Sequence, residues 1–465
     1  MTTVRTWFAA RLSSYGKDEG GAVIAYILLM FLMMIVAAGG AIDFMRHENV
    51  RTRLQNGLDR GVLAAAAFNQ TIGEREVVAG YLKTAGFPAP VTLEVDPVVA
   101  SLNSRRVQAR AQLTIRTFFL KIIGINTLTV AASGAAEQQR QHVEISLALD
   151  ISGSMARELT GGSATERRLS LMRDKAQEFI DLILNEDTIA TTTVNLIPYA
   201  GQVNPGQAAF NYLNNGNNYA QNYSRCIDFN SGDMDDMNIP GRRSRPQTPH
   251  FQWFTFEGSR GYEADWGWCP SNARAITYFS NDAADLKAEI GSFRAHDGTG
   301  SNIAFKWALS ILNPDNAAFL TALRDAGEFT QTDRPAAFLG ADALKIIVIM
   351  TDGNTRYQRR PYAQYYNSDR EVQQWATQNL SSNRSYESTT EYNARLEMRA
   401  LCDLAQANDV VVFTVGFDID AGSDAYDDMR YCASTASHFF DVDGADLGTA
   451  FKLIAATIAN LRLVE

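Results

Sequence analysis

The chain has 465 residues, too many for one ordinary core, and 46% hydrophobic with 20% charged residues excludes a wholly disordered or collagen-like chain. Lys and Arg number 42 against 52 Asp and Glu, a net charge of −10, which argues against nucleic acid as the main partner because phosphate binding needs a basic surface. Four cysteines are too few for a cysteine-rich scaffold, and their spacing offers neither a CxxC zinc ribbon nor a redox pair.

Residues 1–20 precede an uncharged run of 22 residues from Gly21 to Ile42. As a helix it spans about 33 Å, enough for a hydrocarbon core of roughly 30 Å. No polar face interrupts it, so residues 21–42 read as a single membrane-spanning anchor. A cleaved signal sequence is the competing reading. Ala37-Ala38-Gly39-Gly40-Ala41 imitates a cleavage site, but the run exceeds the usual apolar segment of about 7–15 residues. Charge does not decide the orientation, since Arg5, Arg11 and Lys17 precede the span while Arg46, Arg51, Arg53 and Arg60 follow it. The large C-terminal part and the even cysteine count favour its export, because disulfides persist outside the cytosol.

Beyond Asp43, Leu54, Leu58 and Val62 recur at helical spacing before the alanine run Ala64–Ala67, which predicts one helix from about Gly20 to Phe68. Val91–Val98, Arg106–Ile115 and Leu128–Ala136 read as three strands, with a helical turn at Thr117–Ile123. A long apolar helix followed by a small sheet resembles a pilin-like layout, assigned to residues 43–140.

From Val143 strands and helices alternate. VEISLALD, Thr191–Tyr199, Lys345–Met350, Val410–Phe417 and His438–Val442 read as strands. Leu169, Met172, Ala176, Phe179, Ile180 and Ile183 share one helix face, and Leu447, Phe451, Ile454, Ile458 and Leu461 mark a closing helix. Near-continuous apolar strands alternating with helices predict a doubly wound, Rossmann-like α/β sheet over residues 143–465. Such sheets bind ligands beyond the carboxyl ends of their strands.

Three loops at strand ends or helix starts carry oxygen donors. Asp150-Ile151-Ser152-Gly153-Ser154 follows the first strand, Asp297-Gly298-Thr299-Gly300-Ser301 precedes a helix, and Thr351-Asp352-Gly353 ends an apolar strand. Two carboxylates and three hydroxyls form a hard-cation set, suited to Mg²⁺ or Mn²⁺ rather than zinc. Each piece alone is also ordinary turn and capping chemistry. The set is short of a closed cage, leaving a position for water or a partner's acidic group.

This D-x-S-x-S, threonine and aspartate set resembles the metal-ion-dependent adhesion site of von Willebrand factor type A domains. The resemblance implies Asp150, Ser152, Ser154, Thr299 and Asp352 as metal ligands. Thr299 competes with Ser301 and is preferred because a small residue, Ala304, follows five positions later. The DEGG entry, the span ending in Ala41-Ile42-Asp43, and Arg53-Leu54-Gln55 resemble TadG-like proteins of the tight-adherence (Flp/Tad) pilus system, as does the stretch from Cys402 through Cys432-Ala433-Ser434 to Phe451. Together these resemblances imply a non-enzymatic pilus-assembly component of the bacterial inner membrane. It would pass the membrane once, keep its type A domain in the periplasm, and bind a pilus or envelope protein through the metal. Ala22–Tyr26 holds no glutamate, so prepilin-type cleavage is not expected.

Two inserts interrupt the pattern: 201–296, with Trp253, Trp266 and Trp268, and 354–386, with Tyr357, Tyr362, Tyr365, Tyr366 and Trp375. Leaving from the proposed metal face, they should rim it, either as recognition surface or as a satellite core. The run Arg242-Arg243-Ser244-Arg245 lies near Asp233, Asp235 and Asp236, which predicts local charge pairing. Asp418–Asp424 departs from an EF-hand loop and reads as solvated. Four cysteines allow three pairings, of which Cys226–Cys269 and Cys402–Cys432 are expected, with buried free thiols as the competing reading. Two further function classes stay open. One is a membrane-anchored adaptor for an ATPase or protein-quality machine, disfavoured by the single span. The other is a metal-dependent hydrolase, which would want a carboxylate at Ser152. No Walker A, HExxH or GxSxG signature is present.

Overall fold

The computed structural model describes residues 19–464 apart from 68–69, 71, 88–90, 98, 101–103, 140–141, 160–166, 215–220, 242–244, 254–263, 266, 339–342, 367–379, 381 and 445. The chain divides into two compact units, Met1–Gln139 and Arg140–Glu465.

In the first unit, helix α1 (Glu19–Ala65) joins the predicted span and stalk without a break. It is the one helix among the described residues long and apolar enough to cross a membrane. From Val23 to Met34 its side chains are exposed, unlike those of a core helix, whereas Leu54, Leu58 and Val62 are buried. These three pack on Val107, Ala109 and Ala111 of β3 (Ser104–Arg116) and on Val130 and Ala132 of β4 (Thr127–Gln139). Strands β1 (Thr92–Val95) and β2 (Val99–Ala100) pair with β3 along its other edge, and all pairings are antiparallel. The strand expected over 91–98 is shorter, stopping before Pro97, which has no N–H to donate. Helix α2 (Glu74–Thr84) lies outside the sequence expectations and packs against α1, where the Val78 backbone approaches Gly61. The β3–β4 hairpin turns through a short 3₁₀ segment at Leu120–Ile123, within the predicted helical turn.

The second unit is built on a six-stranded sheet in the order β12-β11-β8-β5-β6-β7. Its strands are β5 (His142–Asp150), β6 (Thr192–Tyr199), β7 (Thr277–Ser280), β8 (Ala343–Thr351), β11 (Val411–Phe417) and β12 (Phe439–Val442). All neighbours are parallel except β7, which runs antiparallel to β6. Every residue of β5 and β6 is buried, as expected of central strands covered on both faces. One face packs α3 (Arg168–Ile183), α5 (Ala283–Gly291) and α10 (Leu447–Val464); the other packs α4 (Gly206–Leu213), α6 (Ser301–Leu312), α7 (Ala317–Asp325), α8 (Glu391–Ala407) and α9 (Asp424–Cys432). The unit is therefore doubly wound.

The two inserts are less separate than the sequence suggests. Within 201–296, α4, β7 and α5 belong to the sheet and its helix layers. In the second insert, β9 (Gln358–Pro361) and β10 (Ser385–Thr389) form an antiparallel pair. Phe251 and Trp268 of one insert and Leu380 of the other share a small buried cluster flanked by Trp253, Tyr357 and Tyr365. A satellite core thus exists, while Tyr362 and Tyr386 remain exposed. Trp266, Trp375, Arg242, Arg243 and Ser244 lie outside the described residues; Arg245 pairs with Asp233 as expected. Both expected disulfides are present, Cys226–Cys269 and Cys402–Cys432, the latter joining α8 to α9.

Candidate metal centre

Parallel strands β5 and β8 are adjacent, so their carboxyl ends deliver Asp150 and Asp352 to the same end of the sheet. The chain leaves β5 in an extended conformation at Ser152 and enters a short 3₁₀ turn at Gly153–Ala156. That path brings the Ser152 and Ser154 hydroxyls within 2.9 Å of each other. Ser154 then donates to Asp352 Oδ1 at 2.5 Å. Asp150 is fully buried and accepts the Ser152 N–H at 2.7 Å and the Thr351 hydroxyl at 2.8 Å. Four of the five expected residues are thereby linked by direct or one-step hydrogen bonds.

The Thr299 loop is stitched to the same end by its backbone. His296 N–H donates to Ile151 C=O at 2.7 Å, Gly300 N–H to Ala200 C=O at 2.7 Å, and Arg356 N–H to Thr299 C=O at 2.8 Å. Thr299 is therefore held beside the loop that follows Asp352, and it is 6% exposed. Its competitor Ser301 is fully buried in the first turn of α6. Gly201 makes the close approach possible: a Cβ there would overlap the Trp268 ring, which packs between the Thr299 loop and the satellite core.

Arg168, at the start of α3, is a partner the sequence reading missed. Its Nη1 donates to Asp352 Oδ2 at 2.9 Å, and its Nη2 lies 2.6 Å from Asp418 Oδ2. The loop expected to be solvated over Asp418–Asp424 is exposed at Asp420, Ala421, Gly422 and Asp424, but Asp418 departs from that expectation, its side chain 10% exposed and paired. No local sequence signal links these groups, because the pairing depends on β11 ending beside β8. Thr351 could have been found from its place next to Asp352, and Tyr199 from the end of β6. The Tyr199 hydroxyl donates to Met350 C=O at 2.8 Å beneath the site.

Charge is underbalanced here. Burial, then the facing Asp352, pushes the Asp150 carboxyl up to about 7. Asp352 is also raised by burial, with Arg168 pulling it back. Burial and Asp150 raise Tyr199 well above its ordinary value. Two buried carboxylates against one guanidinium already shared with Asp418 suit a further cation. The donors are all hard oxygens, which fits Mg²⁺ or Mn²⁺. Among the described residues no group of three or more His, Cys, Asp or Glu is arranged to hold a metal, so the hydroxyls and water would have to complete any coordination.

Residues 20–67 match the family model described as "Putative Flp pilus-assembly TadE/G-like". The N-terminal segment is TadE/G-like. That segment corresponds to α1, so the match concerns the helix and not the α/β unit. No curated protein matches the chain. Among solved structures it is similar to the von Willebrand factor domain of the type V pili tip protein Mfa5 from Porphyromonas gingivalis, at 15% identity and a TM-score of 0.36, over 69% of this chain and 96% of that one. It is also similar to the pilus adhesin SpaC from Lactobacillus rhamnosus GG, at 12% identity and a TM-score of 0.36, over 79% of this chain and 34% of that one. The PilB minor pilin from Streptococcus sanguinis gives 13% identity and a TM-score of 0.33, over 79% and 78%. The chain behind the TadE/G-like helix carries its D-x-S-x-S loop at the carboxyl end of a doubly wound sheet, the architecture expected of a type A domain.

Proposed function

We propose that the chain is a non-enzymatic, membrane-anchored component of a Tad-type pilus machinery whose α/β unit binds an envelope or pilus protein through a divalent cation. The observation that carries this reading is the convergence of Asp150, Ser152, Ser154 and Asp352 into one hydrogen-bonded set at the sheet's carboxyl end. Asp150, Ser152, Ser154, Thr299 and Asp352 would hold Mg²⁺ or Mn²⁺, which would supply a Lewis-acidic position for a partner's carboxylate. The TadE/G-like helix supports the pilus context, and the apolar span supports the anchor. The two disulfides support an exported α/β unit, with residues 1–20 on the cytoplasmic side.

One observation favours a second reading. Arg168 already bridges Asp352 and Asp418, so the set also works as a structural polar knot without metal. Calorimetric Mg²⁺ titration of the detergent-solubilised full chain separates the two. Saturable binding in the wild type, lost in Asp150→Ala with circular dichroism unchanged, is expected. No wild-type binding, or equal binding in the variant, would leave only the structural knot. Capture of envelope proteins with and without EDTA then tests whether partner binding depends on the cation.

A further inference from the structure

The β3–β4 hairpin tip exposes a contiguous apolar surface. Phe118, Ile122, Ile123 and Ile125 are 54%, 52%, 55% and 42% exposed, with exposed Lys121 and Arg116 among them. A patch of this kind on a small module marks a contact surface. Its position narrows the partner, because the tip is fastened to α1.

The fastening is specific. Asp43, 1% exposed, accepts the N–H groups of Phe118, Phe119 and Leu120 at 2.8–3.1 Å. Arg46 lies over the Phe118 ring at 3.9 Å. One turn nearer the N-terminus, Phe119 packs so closely on Gly39 that a Cβ there would overlap its ring, and a Cβ at Gly40 would stand 3.3 Å from Leu120. Gly39 and Gly40 belong to the uncharged run 21–42. The tip therefore covers the last turn of the apolar span together with the first polar turn after it, where Asp43 and Arg46 stand. Exposed Ile42, Phe44 and Met45 extend the same apolar belt around α1.

We infer that this hairpin tip is a second membrane contact, inserting Phe118, Ile122, Ile123 and Ile125 into the interfacial layer of the bilayer that α1 spans. The occupant is lipid because the patch is continuous with the span and lies at its depth. Apolar side chains would sit at the acyl boundary, while Lys121 and Arg116 reach headgroup phosphates. Asp43 makes this possible by satisfying three backbone N–H groups close to a low-dielectric layer, where unpaired donors are costly. A lipid contact on one side of α1 would restrain the tilt of the stalk relative to the bilayer. The inference rests on the anchor reading.

Site-directed spin labelling of the full chain in lipid nanodiscs tests both separately. All four native cysteines are closed in disulfides, so a single introduced cysteine is labelled selectively. Labels go at Ile123→Cys and Ile122→Cys in the tip, at Leu32→Cys in the span, and at exposed Ala79→Cys on α2, which packs beside Gly61, about 28 Å along α1 from Ile42. The ratio of oxygen to nickel-chelate accessibility should be highest at Leu32 in mid-span, water-like at Ala79, and intermediate at both tip positions, clearly above the Ala79 value. Tip ratios equal to that of Ala79, with Leu32 lipid-like, overturn the hairpin contact and leave the anchor intact. Low accessibility to both agents at the tip means protein covers it and also overturns the proposal. A water-like Leu32 overturns anchor and hairpin together.

Discussion

Asp150 and the buried histidines pull the stability of the second unit in opposite directions as pH changes. Asp150 is raised from 3.8 to about 7, so its contribution is fully present below about pH 4 and is lost as pH rises through 7. His250 and His296, buried within the first insert and at its end, are lowered from 6.5 to about 4 by burial. Their contribution is present above about pH 6.5 and is lost as pH falls towards 4. A metal-free melting profile superimposes the two. The Mg²⁺-induced shift in Tm isolates the carboxylates, because protons compete with the cation only there. Saturating Mg²⁺, worth roughly 2.7 kcal/mol at a hundredfold excess over Kd, should raise Tm more at pH 7.5 than at pH 5. Equal shifts at both pH values would contradict cation binding at Asp150.

At the amino end of the sheet, opposite the site, β5 and β8 bury a charge pair. Glu144 faces Lys345 in register; Lys345 Nζ donates to Glu144 Oε2 at 2.7 Å and to Leu312 C=O at 2.9 Å, and the Ala336 N–H donates to Glu144 Oε1 at 2.7 Å. Lys345→Met leaves Glu144 with only the more distant Arg334 and should cost about 3–5 kcal/mol, read by denaturant unfolding. The double change Glu144→Leu with Lys345→Met should recover most of that loss, since the penalty lies in an unpaired buried charge. Legibility follows the same logic of local against distant partners. Strands β5, β6, β8 and β11 are readable because burial on both faces demands uninterrupted apolar residues. The face of α3 is readable for the same reason: Leu169, Met172, Ala176, Phe179, Ile180 and Ile183 are all buried. Strand β7 is not, since TYFS has four residues and pairs irregularly. Helix α2 buries only Val77, Val78 and Leu82 and contains Gly80, too little signal to outweigh its surroundings. At the site, Asp150, Ser152, Ser154 and Asp352 stand in short motifs. Arg168 does not, because its partners arrive from two other strand ends.

The two units have separate cores, and all four cysteines lie in the second. Calorimetry of the full chain should therefore show two transitions, of which a reductant lowers only that of the α/β unit. Each bridge contributes roughly 3–4 kcal/mol in the chain-entropy model for loops of 43 and 30 residues. A first-unit transition that moved equally with reductant would refute that independence. The path of the chain through the second unit adds a mechanical consequence. Strand β5 begins directly after the first unit in sequence, ends in Asp150, and is flanked on both sides by parallel strands. Tension between a tethered first unit and a partner gripped at the site, which also takes Asp352 from the end of β8, would pull β5 lengthwise against its neighbours. Its bonds to β6 and β8 would be stressed in shear and have to rupture together, whereas an edge hairpin peels open one bond at a time. A partner held at this end of the sheet is thus coupled to the tether through the strand that is hardest to pull out.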